Sequence, residues 1–177
     1  MRTRYSSVQI VIHWLVLVLV VLTYTTMDIK GAFIKGSQAR ELLTLAHYSL
    51  GFCVLFLMCV RVFVRAMYTT PSVKPAPPHW QHNLSVLVHA VIYLMFIGLP
   101  VLGILSKYYS GQDWTMFNLM MPKSVLPDLS LQKELKTLHT WLANAGYYLI
   151  GLHAFAALWH HYRLRDNTLV RMLPGRK

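Results

Sequence analysis

The stretch His139-Thr140-Trp141-Leu142-Ala143-Asn144-Ala145-Gly146-Tyr147-Tyr148-Leu149-Ile150-Gly151-Leu152-His153 sets two histidines fourteen residues apart in a predominantly apolar run. Fourteen residues make almost four full turns of α-helix. Both imidazoles therefore leave one face, roughly 21 Å apart along the axis at 1.5 Å per residue. Gly146 lies midway on that stripe, and His160 continues it seven residues further on. A glycine there leaves room for a flat group or for a close helix.

This stretch belongs to the last of four long apolar runs, Val8–Met27, Leu42–Ala66, Leu84–Ser106 and His139–Tyr162. Each is long enough to cross a hydrocarbon core of ~30 Å as a helix of ~20 residues. Only 13% of the chain is charged and 55% is hydrophobic, far from the composition of a soluble domain. Within the runs the charged residues are Arg61 and Arg65, both at the end of the second. Lipid leaves no partner for open backbone groups, so the runs must be helices, and alternating barrel-type segments are absent. The expected fold is all-α: a four-transmembrane-helix bundle forming a single membrane domain over residues 1–177.

The first run follows Arg2 and Arg4 but has no small-x-small cleavage site and holds His13 and Trp14, so it reads as a retained helix. Ten of the seventeen Lys/Arg fall in the N-terminus, the Arg61–Lys74 segment and the C-terminal tail. The other two connections hold the remaining seven, with five of the six acids. By the positive-inside rule both termini face the cytoplasm. The net charge of +11 is mostly this topological signal; no soluble basic face of the kind that binds nucleic acid is present.

The outer loop Asp28–Glu41 is short. The inner connection Tyr68–Asn83 is rich in proline and reads as a stiff, extended segment along the membrane surface. Pro100 should bend the third helix. The long outer connection Lys107–Leu138 reads as an early start to helix four from about Ser130, with Ser130 as N-cap. Cys53 and Cys59, six apart on one helix, point in different directions and exclude a mutual disulfide. No Cys-x-x-Cys-His occurs, which excludes covalent haem attachment.

Nine histidines is a high count, and ionisable groups inside a membrane helix need internal partners. Depth pairs them. His13 and His153 both lie about one-third of the way in from the inner face, and His47 is level with His139 near the outer face. Imidazole is an established haem ligand. The pairs His13/His153 and His47/His139 thus suit an inner and an outer haem, both of b type and non-covalently bound. A lone intramembrane histidine is ordinarily a packed residue; four at matched depths point to ligands. His89, at the inner level, is either a substitute for His13 or a hydrogen-bond partner of a haem propionate. Arg61 and Arg65 are further propionate partners, or ordinary positive-inside anchors.

Arg4-Tyr-Ser-Ser-Val-Gln-Ile-Val-Ile-His13-Trp14 resembles the opening of the bacterial cytochrome b561 family. His153, His160-His161-Tyr162 and Asp166-Asn-Thr-Leu-Val-Arg-Met-Leu-Pro174 resemble its ending, and the similarity covers essentially the whole chain. The resemblance implies a four-helix dihaem cytochrome, similar to the membrane subunits of formate dehydrogenase and nickel-iron hydrogenase. Its ligand histidines carry over onto His13, His47, His139 and His153. It further implies a superoxide oxidase of the bacterial inner membrane, passing electrons from superoxide outside through both haems to ubiquinone.

Two histidines per iron favour outer-sphere electron transfer. Lys30, Lys35, Arg40 and Lys136 lie near the outer haem and form a collar that would attract an anionic donor such as superoxide; otherwise they simply keep the loops soluble. At the inner end, His160 and Lys74 are candidates to hydrogen-bond a quinone and relay a proton, with interfacial packing the plain alternative for His160. A rival function is an electron-transfer subunit docking a separate dehydrogenase or hydrogenase. Short outer loops and the lack of iron–sulfur cysteine motifs favour a self-contained protein with no obligatory protein partner. A transporter is disfavoured, since paired broken helices and intramembrane carboxylates are lacking.

Overall fold

In a computed structural model, which describes residues 4–175, four long helices form the protein: α1 (Ser7–Lys30), α2 (Gln38–Met67), α3 (His79–Tyr109) and α4 (Leu129–Trp159). Arg2 and the two basic residues that end the tail lie outside the described residues. Each helix is longer than its apolar run because polar residues cap and extend it beyond the bilayer core. Ser6 and Gln9 form a reciprocal capping box on α1, and Ser37 accepts from the Arg40 amide to start α2. Asp128, rather than Ser130, caps α4: its carboxylate accepts from the Leu131 amide at 2.9 Å. The proline-rich connection is shorter than expected, since α3 already begins at His79 and takes in both His79 and His82. Helix α3 continues through Pro100 to Tyr109.

By length and composition α1, α2 and α3 can each cross a membrane. Helix α4 is less apolar, with Lys133, Glu134 and Lys136 in its first turns, but it runs antiparallel to α3 over the same length. Ser106 donates to the Gln132 carbonyl at one end, and the His89 and His153 rings meet near the other. Val11, Phe56, Phe63, Leu87 and Leu94 are exposed on the outside of the bundle, as lipid-facing residues must be. The exposed Trp80, Trp141, Tyr148 and Tyr162 are the amphipathic aromatics that suit membrane–water boundaries.

The bundle core is narrow: Val16 and Val20 of α1, Val54 and Met58 of α2, and Met95, Phe96 and Leu99 of α3, with Leu142, Ala143 and Ile150 of α4 packed against them. Among lipid tails such packing works through close van der Waals contact more than through exclusion of water. Gly146 is the buried residue of α4, and the space a side chain would need there is taken by the Tyr24 hydroxyl of α1. Of the two uses foreseen for that glycine, close approach of a neighbouring helix is the one observed.

Two features had no strong signal in the sequence. A two-stranded hairpin, β1 (Thr115–Met116) with β2 (Leu119–Met120), turns through Phe117 and Asn118, both at positive φ. It lies on α2: the Phe117 amide donates to Ser49 at 2.9 Å and the Trp114 ring stacks edge-on to Tyr48. After α4 the chain forms a π-helical turn, His160–Leu164, then reverses through Arg165 at φ 55°. The tail thereby folds back under the bundle. Trp14 donates to the Met172 carbonyl at 2.8 Å, the Tyr5 amide to the Arg171 carbonyl at 3.2 Å, and the Lys74 amide to Asn167 at 2.8 Å. The N-terminal segment, the α2–α3 connection and the tail therefore sit at one end of the bundle. Cys53 and Cys59 are both free, as their spacing requires.

Candidate haem sites

Two pairs of histidines face each other across the bundle. His13 of α1 and His153 of α4 have ring centroids 6.4 Å apart, and His47 of α2 and His139 of α4 have centroids 6.2 Å apart. A metal–imidazole bond of about 2 Å puts the centroids of two rings on opposite sides of one metal about 6 Å apart. Both pairs match that requirement, whereas His89 and His153 are closer, at 5.4 Å.

The ring nitrogens are set for the same chemistry. His139 Nδ1 donates to the Leu99 carbonyl at 2.8 Å, and His47 Nδ1 donates to the Thr23 carbonyl at 3.1 Å, with Thr26 beside it at 3.3 Å. A carbonyl only accepts, so each Nδ1 carries a proton, and Nε2 is the nitrogen left to reach a metal. Fixing the tautomer through the distal nitrogen is how proteins orient imidazole ligands. His89 Nδ1 donates to the Ser85 carbonyl one turn back on its own helix. His13 Nδ1 is buried with no partner among the described residues.

Space accompanies both pairs. A groove beside the inner pair is lined by His13, Val20, Arg61, His89, Phe96 and His153, mostly apolar with Arg61 as its one cation among the described residues. Near the outer pair, Gly51 lies one turn beyond His47, and nothing occupies the place of its missing side chain. Gly103 lets the His139 ring approach α3 closely; a β-carbon there would stand 3.4 Å from the ring. Facing imidazole pairs, an apolar slot and the nearby Arg61 fit a bis-histidine haem.

Comparison with known proteins shows the family. A family model described as prokaryotic cytochrome b561 matches residues 4–175. The chain belongs to this family. It is 41% identical over 174 residues to cytochrome b561 homolog 1 of Escherichia coli, covering 98% of this chain and 99% of that one. It is also 41% identical over 177 residues to a probable superoxide oxidase of Yersinia pestis, covering 100% and 99% respectively. Identity to cytochrome b561 homolog 2 of E. coli is 27% over 175 residues. The chain is thus a bacterial membrane cytochrome of the b561 family, an electron-transfer protein that binds b-type haem.

At the end bearing His47 and His139, Arg40, Lys107 and Lys136 lie within electrostatic reach of Lys30, and Lys107 and Lys136 within reach of each other. Lys107 was missed because it ends an apolar helix. Arg40 does more than present charge: its guanidinium donates to the carbonyls of Phe33 (2.8 Å) and Lys30 (3.4 Å) and ties the loop down. Lys35 stands exposed in that loop.

At the opposite end His160 is engaged by Asp166, a residue the sequence did not single out. Its Nδ1 donates to Oδ2 of the buried carboxylate, whose other oxygen accepts from the Thr168 amide at 2.8 Å. Burial raises a carboxyl's pKa, but here the bonds from His160 and Thr168 outweigh it and hold Asp166 below its ordinary value. An open cleft lined by Lys74, His161, Arg165, Asp166, Asn167 and Val170 adjoins the dyad. The signal for Asp166 was available: it is the one acid at the inner end of a chain whose other five lie in the outer connections.

Proposed function

We propose that this cytochrome carries two b haems, one held by His13 and His153 and the other by His47 and His139, and that it oxidises superoxide at the outer surface and reduces ubiquinone at the inner one. The observation that carries the reading is the stacking of two inter-helix imidazole pairs on one face of α4, fourteen residues apart. The likeness to a probable superoxide oxidase supports the choice of donor. In this reading α4 spans the bilayer with the other three helices and both termini are cytoplasmic, as the charge bias favours.

Haem held by these histidines would supply one-electron redox chemistry. The rest falls to the chain. Lys30, Lys107 and Lys136 concentrate an anionic donor near the His47/His139 pair. The apolar core between the pairs excludes water along the path. At the inner end two electrons and two protons convert one quinone to quinol, the electrons coming from two superoxide anions. His160, with Nδ1 engaged by Asp166, keeps Nε2 for a proton in transit, and Lys74 and His161 line the adjoining cleft.

The test is a pyridine haemochrome count with stopped-flow mixing of the purified protein. Two b haems per chain, reduced rapidly by superoxide and reoxidised by ubiquinone, are expected. Haems indifferent to superoxide would overturn the donor assignment and favour a docked electron carrier. Replacing His13 by Ala should lose the inner haem, whereas His89→Ala should retain it; the reverse pattern would overturn the inner pair.

A further inference from the structure

We infer that Arg171, in the C-terminal tail, is an anchor for a propionate of the inner haem, so that the tail closes the cofactor site from below. The inference rests on the reading that a haem lies between His13 and His153. Arg171 is only 8% exposed, and its Nε has no partner among the described residues. Its Nη1 donates to the Pro71 carbonyl, and its guanidinium carbon stands 5.6 Å from the centroid of the Tyr5 ring. A buried guanidinium with an unmet donor is costly unless an anion lies beside it.

Among the described residues the surroundings supply more positive charge and no paired counter-charge. Arg61, Arg65 and Arg171 all lie within electrostatic reach of His89. Arg61 also reaches His13 and His153 and lines the groove between them. Arg61 and Arg65 both stand near the face of Tyr93, at 5.5 and 5.9 Å. Among the described residues none of these arginines has an ion pair. Asp166, the acid at this end, is committed to His160. Arg61 lines the apolar groove, the buried Arg171 and the exposed Arg65 lie within electrostatic reach of His89 beside it, and among the described residues no carboxylate pairs with them; a b haem would bring two carboxylates on one edge. A lipid phosphate would satisfy the same donors, but the burial of Arg171 and its reach to His89 favour the ligand inside the groove.

The consequence is electrostatic. A propionate charge stabilises ferric over ferrous haem, and a guanidinium beside it in a poorly screened site offsets that effect. The experiment is a spectroelectrochemical titration of the full-length haem-loaded protein, with Arg171→Gln and Arg171→Lys beside the parent. In Arg171→Gln one haem's midpoint should fall while the other stays, and Arg171→Lys should restore most of the shift. If Arg171→Gln instead loses half of the haem, retention in Arg171→Lys supports the anchor. Unmoved midpoints with haem intact would overturn it, as would equal shifts or equal haem loss in both variants, which would mark a packing role. A parent protein with no haem between His13 and His153 would instead remove the underlying reading.

Discussion

At the scale of single residues, protonation at the inner end turns on Asp166. Its pKa in the folded chain lies below the unfolded value, so its contribution to holding the tail is fully present above the unfolded value. That contribution is lost as pH falls through the lowered native one. The thermal midpoint of the detergent-solubilised protein should therefore drop on acidification below about pH 4. Asp166→Asn should start lower near neutrality and lose part of that acid limb. Identical acid limbs in the two proteins would show that the His160–Asp166 contact contributes nothing to stability. The four histidines of the two facing pairs were legible from spacing and depth. Asp166 was legible as the one acid at its end, but its partner was not, because nothing local in the sequence says that a π-turn and a left-handed residue will swing it back onto His160.

At the scale of elements, α4 meets α1 at a notch, next to the hydrogen bonds from the Tyr147 hydroxyl to Asp28. The Tyr24 hydroxyl donates to the Ala143 carbonyl at 2.9 Å and fills the place of a side chain at Gly146. Gly146→Ala should force that hydroxyl out and cost about 1–3 kcal/mol. Tyr24→Phe removes the colliding oxygen together with its hydrogen bond, worth about 1 kcal/mol. The double variant should therefore lose less than the sum of the two, measured by thermal unfolding of the holoprotein in detergent. Strict additivity would mean that the two side chains do not meet in the folded state. Helices of this length were predictable from apolar runs, but their ends were not. Asp128 outcompetes Ser130 as cap, and the outer hairpin escaped notice because two-residue strands carry no periodicity.

At the scale of the whole molecule, charge is sorted to the two ends, and each end has its own use for it. In the proposed function the cluster of Lys30, Arg40, Lys107 and Lys136 attracts a small anionic donor, while at the other end Arg61 reaches His13 and His153, and Arg65 and Arg171 reach His89. Combining Lys30→Gln with Lys136→Gln should lower the second-order rate of haem reduction by superoxide by about 10-fold at low salt. It should also flatten the decline of that rate with ionic strength, because little long-range attraction remains to be screened. Arg40 is left out of the pair because its hydrogen bonds hold the α1–α2 loop. A rate and salt slope equal to the parent's would show that encounter is not steered by these lysines.

The number of long helices, the level of each histidine and the sign of charge at each end were determined by the sequence itself. Hydropathy acts along the chain: a run of apolar residues becomes a helix in lipid whatever its neighbours do, and helical pitch then sets the depth of everything on it. What faces what was decided only by the tertiary structure. The approach of Tyr24 to Gly146, the carbonyls that orient His47 and His139, the hairpin over α2 and the return of the tail to Trp14, Tyr5 and Lys74 all join residues far apart in sequence. Their physical reason is three-dimensional. Each contact satisfies a polar group or fills a gap that exists only once the helices have packed.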